Sequence, residues 1–346
     1  MEKSYKYYFH YTGDSSDLKL LECSQTKTSY HRNFSGHNRS EGHVINGFEI
    51  TVAVLDSSIN VNHDIFKNSD LNGMNFIPKQ REDYWCTNRE YHGTMVAGIL
   101  ASVAPRASIY LCCVSDGEKR APDITMNALD HLIEMKKDGK KLDIVIMSFG
   151  RERDPKDKVV LEYEEKINKL YTHKVISIAA VGNQGCYQPK VAYPARLKNV
   201  LAVGSVHGSG SEPGKHSDFN PPEVEEINVY APGEGIACPA HSNNKDWIKA
   251  QGTSCSAPAI GGVIAKLKQF VANDDELRQS FNDVHVLKKL LSAKESPLMV
   301  TSSNGSSEIA VLNPSNAFES DNLLTCLLYT SPSPRDATLS RMPSSA

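Results

Sequence analysis

GTSCSAPA, residues 252–259, sets three potential nucleophiles side by side, Ser254, Cys255 and Ser256, in a run of small residues. A serine hydroxyl is a weak nucleophile at neutral pH and needs a base to take its proton, whereas a thiol is intrinsically stronger. Partners for such a group lie upstream. HGTMVAGILAS (92–102) opens with His92, and VAVLDSSI (52–59) delivers Asp56 at the end of an apolar run. Each segment also has a plain structural reading: a histidine at a helix start, an aspartate that turns the chain, a tightly packed run without chemistry. In the order Asp, His, Ser the three together offer an orienting carboxylate, a general base and a nucleophile.

Local elements must hold these groups. Pro258 has no N–H, so it is expected within the first turn of a helix that begins close to Ser254. Ala257, Ile260, Ile264 and Leu267 then fall at helical spacing. The free N–H groups and positive dipole end of that helix would face Ser254, a setting suited to a developing oxyanion. Further out, ITVAVLD (50–56), ASIYLCCV (107–114), DIVIMSF (143–149), KVISIAAV (174–181) and NVLAVGSV (199–206) read as buried strands. Helical patterns at about 92–102, 122–138 and 155–171 alternate with them. This rhythm predicts an α/β fold, a mostly parallel sheet with helices on both faces, with sites at the carboxyl ends of strands. Asp56, Ser148 and Asn183 follow strands in that way. Helices are also expected over 256–270 and 283–292, and a closing strand and turn over 308–318.

From about Gly47 to Phe318 the chain resembles the subtilases, the subtilisin-like serine endopeptidases of peptidase family S8. VAVLDSS, HGTMVAG and GTSCSAP are similar to that family's aspartate, histidine and serine motifs. AAVGNQG (179–185) resembles its oxyanion segment and IMSFG (146–150) the edge that pairs with substrate backbone. VAPRASIYLCCV, AYPARLKNVLAVGSV and VYAPG add further likeness. The resemblance implies a three-layer subtilisin-like fold and peptide-bond hydrolysis through Asp56, His92 and Ser254, with the Asn183 amide as oxyanion donor. It also implies two walls for the substrate, Ser148, Phe149 and Gly150 on one side and Ala180, Val181 and Gly182 on the other, and a cis bond before Pro194. No metal or organic cofactor takes part in such chemistry; the partners are polypeptides, neither nucleic acid nor membrane. Ser256 takes the place of a small packing residue.

Departures from the family pattern bear on specificity. Cys255 stands where methionine is usual and is expected to be a small, buried thiol that is open to oxidation beside the site. Ser58, Arg151, Ala192, Gln184 and Gln251 also differ from the usual residues. The chain passes directly from HGTMVAGILAS into VAPRASIYL, so calcium is not expected at the family's strong site, while a weaker cation site stays open. The segment before Phe48 is shorter than the family's inhibitory propeptide of about 70–80 residues, so Met1 begins either a truncated frame or a short extension.

Composition limits the alternatives. A net charge of −3 in 346 residues, with 23% charged, gives no pull toward nucleic acid or anionic membranes. KKDGKK (136–141) reads as a solvated helix end. Eight cysteines without a C-x-x-C pair suggest reduced thiols; Cys112 and Cys113 read as core, and Cys86 fits no zinc spacing. The polar N-terminus lacks a signal core, which predicts a cytoplasmic protein unless an upstream segment directs secretion. The sequons at Asn33 and Asn38 are read as chance. The expected organisation is an N-terminal segment over 1–46, a catalytic domain over 47–320 and a disordered tail over 321–346. Within that tail, CLLYTSPSPRD and SRMPSSA (326–346) resemble a translated sequencing-library adapter. The rival from another class is a catalytically silent fold kept for peptide binding or regulation. A nucleotide-binding reading would need a phosphate loop after the first strand, and LDSSINVNHD is not one.

Overall fold

The computed structural model describes residues 46–87, 90–117, 121–187, 190–207, 226–292, 299–304 and 307–312. Segments 1–45 and 313–346, with both sequons, the turn after the closing strand and the adapter-like string, lie outside the described residues.

Seven strands form a parallel core. They are β1 (Thr51–Ser57), β2 (Asp70–Asn75), β3 (Ser108–Ser115), β4 (Ile144–Met147), β5 (Ile176–Ala180), β6 (Val200–His207) and β7 (Val229–Glu234). Their order across the sheet is β2, β3, β1, β4, β5, β6, β7. A hairpin of β10 (Met299–Asn304) and β11 (Ser307–Leu312) extends the β7 edge, and β8 (Ile236–Pro239) pairs antiparallel with β9 (Trp247–Ala250) as a separate ribbon. Six helices accompany them: α1 (Tyr91–Val103), α2 (Pro122–Lys137), α3 (Lys158–Thr172), α4 (Thr253–Phe270), α5 (Asp275–Phe281) and α6 (Val284–Ser292).

Alternation along the strands sorts side chains between two cores. Val52, Val54, Ile144, Ile146, Ile176 and Ile178 join α1 and α4 on one face. Ala53, Leu55, Val145, Met147 and Ala179 join α2 and α3 on the other. The same period carries Asp56 and Ser148, the next even positions of β1 and β4, toward the α1–α4 face. Helix α4 is buried from Thr253 to Lys268 and has no solvent stripe. It fits because its middle is small. A Cβ on Gly261 would lie 2.4 Å from Ile146 Cδ1, and one on Gly262 would lie 2.7 Å from Val103 Cβ.

Most expected elements are present with boundaries moved by a few residues. Helix α3 begins at Lys158 rather than 155 because the Asp157 carboxylate accepts the Val159 N–H at 2.9 Å and caps it. Lys137 ends α2, and residues 137–141 are exposed, a solvated helix end. Strand β2 was not expected: DLNGMN is a polar sheet edge whose residues alternate between exposed and half-buried. Strand β7 was hidden by Pro232 and Gly233. Pro258 departs from expectation as well, since α4 starts at Thr253 and places the proline beyond the first turn. Among the described residues, no helix is long and apolar enough to cross a membrane.

Candidate active site

Three neighbouring parallel strands, β1, β4 and β5, deliver Asp56, Ser148 and Asn183 at or just past their carboxyl ends. Helices α1 and α4, which carry His92 and Ser254 in their first turns, pack on one side of the sheet.

The Asp56 side chain is fully buried, and its Oδ1 lies 2.7 Å from His92 Nδ1. A carboxylate only accepts, so Nδ1 carries the proton and Nε2 of the neutral ring is left as the acceptor. Oδ1 also accepts the Ser57 N–H at 2.7 Å. Ser57 fixes the other side of the pair, because its hydroxyl accepts the Gly93 N–H at 2.9 Å, one residue beyond the imidazole. Gly93 is required for that approach: a Cβ there would sit 2.2 Å from the Ser57 carbonyl oxygen. Together these contacts hold the start of α1 against the end of β1.

Ser254 is the second residue of α4 and 4% exposed. Its hydroxyl donates to the Ser148 carbonyl at 2.9 Å, and the Ser148 hydroxyl donates back to the Ser254 carbonyl at 3.2 Å. Asn183 stands beside the same helix end. Its Oδ1 accepts the Thr253 N–H at 2.8 Å and lies 2.8 Å from Thr253 Oγ1, which is also 2.9 Å from the Gly182 carbonyl. Those contacts identify the oxygen of the amide and leave Nδ2 on the other side.

The two expected walls meet through a third segment. Arg151 exchanges both backbone hydrogen bonds with Tyr193 at 2.9 Å, and the Ala192 N–H donates to the Val181 carbonyl at 3.0 Å. Ser148, Ala180 and Val181 are buried, whereas Phe149, Gly150 and Gly182 are half-buried. The Tyr193–Pro194 bond is cis, as expected.

The remaining residues of the GTSCSAPA run are packing. The Ser256 hydroxyl is fully buried and donates to the Ala231 carbonyl at 2.9 Å. Cys255 is fully buried, as expected, but its expected openness to oxidation is corrected: its sulfur lies 3.8 Å from Met95 Sδ, and burial pushes its thiol well above the ordinary range. A thiol held protonated and out of water is inert. Cys238 behind it is likewise pushed up to about 12 by burial. Cys112 and Cys113 are both fully buried, as expected, and Cys86, Cys112, Cys113, Cys238 and Cys255 are all free. Reading the motifs alone missed three supporting groups, the hydroxyls of Ser57, Thr253 and Ser148. The small hydroxyl residues next to Asp56 and Ser254 were the available signal for the first two; Ser148 was seen only as a substrate wall.

A sequence profile of the subtilase family matches residues 47–309. The chain is 30% identical over 263 residues to the major intracellular serine protease of Bacillus subtilis (strain 168), covering 71% of this chain and 76% of that protein. It is 26% identical over 221 residues to subtilisin-like protease 2 of Trichophyton tonsurans, a match covering 62% of this chain and 48% of that longer relative. A cold adapted subtilisin-like serine proteinase superposes with a TM-score of 0.60 at 20% identity, over 81% of this chain and 93% of that one, a likeness of fold. The chain therefore belongs to the subtilase family and is a serine-type peptidase acting on polypeptides.

Proposed function

We propose that the chain is an endopeptidase that cleaves peptide bonds through an acyl-enzyme on Ser254. The observation that carries this reading is the 2.7 Å contact between Asp56 and His92, because it leaves imidazole Nε2 as a base. In this reading the Ser254 hydroxyl exchanges the Ser148 carbonyl for that nitrogen as its acceptor. His92 removes the proton as Oγ attacks the scissile carbonyl, and returns it to the departing amine. Water, activated by the same nitrogen, then releases the acyl group. Asp56 holds the ring in one tautomer and stabilises its cation.

Negative charge on the tetrahedral oxygen falls at the α4 N-terminus. The Ser254 N–H belongs to the first turn, whose donors have no acceptor within the helix, and Asn183 Nδ2 supplies a second donor. Residues Ser148–Gly150 and Ala180–Gly182 take the substrate between them, and Ala192 sets the depth where they meet. Every proton and bond change falls to these side chains and water, so the reading asks for no metal or organic cofactor. The name of the Bacillus relative, together with the free cysteines, supports an intracellular setting.

Turnover of a peptide p-nitroanilide tests the proposal. The protein should hydrolyse it, and Asp56→Asn or His92→Ala should reduce kcat by about 10⁴ or more. A folded wild-type protein without turnover, on this and on a denatured protein substrate, favours the peptide-binding alternative.

A further inference from the structure

We infer that the Ser148 hydroxyl is a positioning group for the nucleophile, needed because Pro258 removes the donor that a helix would otherwise provide. The inference rests on the reading of Ser254 as the nucleophile.

In an α-helix the N–H of residue 258 would bond to the carbonyl of residue 254. Pro258 lies inside α4 and has no N–H, and a proline ring crowds the carbonyl four residues back. Ser254 is 4% exposed, so a carbonyl there needs a donor from the protein. The Ser148 hydroxyl provides one at 3.2 Å. Ser148 is itself 1% exposed, lies directly after β4, and sits 106 residues from Ser254 in sequence. β4, which it directly follows, lies in the interior of the sheet between β1 and β5.

The pairing is reciprocal, and the two bonds have different fates. The Ser254 hydroxyl leaves the Ser148 carbonyl at each turnover in order to reach His92. The bond from Ser148 Oγ to the Ser254 carbonyl has no reason to break. It keeps the Ser254 main chain, and with it the N–H at the oxyanion position, in register while the side chain moves. Through its hydroxyl Ser148 acts on Ser254, a role separate from the substrate wall that its main chain forms with Phe149 and Gly150.

A double-mutant cycle tests this with kcat and KM on a peptide p-nitroanilide. Ser148→Ala should lower kcat about tenfold, the scale of one hydrogen bond to a buried carbonyl, with KM within about twofold. Pro258→Ala restores an N–H four residues after Ser254, so in that background Ser148→Ala should cost less than about twofold. Wild-type kcat in Ser148→Ala, or an undiminished loss when Pro258→Ala is also present, would overturn the inference. If Pro258→Ala does not fold, the acylation rate of Ser148→Ala with a fluorophosphonate decides: about tenfold slower supports the inference, and an unchanged rate overturns it. Wild type and Ser254→Ala run alongside. Absence of Ser254-dependent turnover in wild type defeats the nucleophile reading itself, whereas normal wild-type turnover with an unaffected Ser148→Ala defeats only this inference.

Discussion

Thr253 holds Asn183 by its oxygen. The Thr253 N–H donates to Asn183 Oδ1 at 2.8 Å, and the Thr253 hydroxyl lies at 2.8 Å from the same atom. The amide nitrogen is thereby committed to the other side, where the proposed oxyanion forms. Asn183→Ala should lower kcat by about 10²–10³ with little change in KM, a range taken from subtilisin itself. Steady-state kinetics on one peptide substrate checks it, and a large rise in KM with normal kcat would move Asn183 from charge stabilisation to ground-state binding.

Gly93 is where strand and helix touch most closely in the acid–base pair. Alanine at a helical position ordinarily gains about 1 kcal/mol over glycine. Here the added Cβ would meet the Ser57 carbonyl at 2.2 Å, closer than any side chain tolerates. Overpacking of about 1–3 kcal/mol should outweigh the helical gain and push His92 away from Asp56. Gly93→Ala is therefore expected to lower both the urea midpoint and kcat; a more stable and fully active variant would contradict the geometry.

Cys255 adjoins the nucleophile in sequence but is sealed in the core. Iodoacetamide should leave it unmodified in the native protein and alkylate it in denaturant, read by mass spectrometry of the peptide containing residue 255. Cys255→Ala should keep most of the activity and lose stability by a small cavity, about 1 kcal/mol. Rapid native alkylation of Cys255 accompanied by inactivation would restore it as a point of oxidative control.

Lys268 is 6% exposed, and burial lowers its pKa to about 8, with Asp143 acting in the opposite direction and Lys136 in the same one. An unfolded lysine titrates at 10.5, so between about 8 and 10.5 the unfolded chain holds a proton that the folded one has lost. Folding stability from this group therefore rises with pH across that window, by at most roughly 3 kcal/mol. Lys268→Met should remove that rise. Urea midpoints at about pH 7 and about pH 10 for both proteins test it through the difference between them, which cancels the opposite contribution of the buried thiols. An identical pH response in the two proteins would show that Lys268 is solvated.

The parallel strands were legible because burial on both faces leaves uninterrupted apolar runs, as in Val52–Leu55 and Ile144–Met147. Asp56, His92 and Ser254 were legible because each sits in a short local motif at the end of such an element. Strand β2 escaped because its polar residues look like a loop until β3 pairs with it. What joins Ser148 to Ser254 could not be read from sequence, because the two lie 106 residues apart and meet only across the sheet. The burial of Cys255 was legible from its small-residue run, but its oxidation sensitivity was read from adjacency to Ser254 in sequence, which says little about reactivity on a helix that is buried all round.

The central claim is that Ser254 alone in the Ser254–Cys255–Ser256 run is the nucleophile. The most direct measurement is the site of a fluorophosphonate adduct, located by intact and peptide mass spectrometry. A single adduct on Ser254 is predicted, absent in Ser254→Ala and present at a comparable rate in Ser256→Ala. A native, folded protein that takes up no label, or an adduct that persists in Ser254→Ala, would contradict the account.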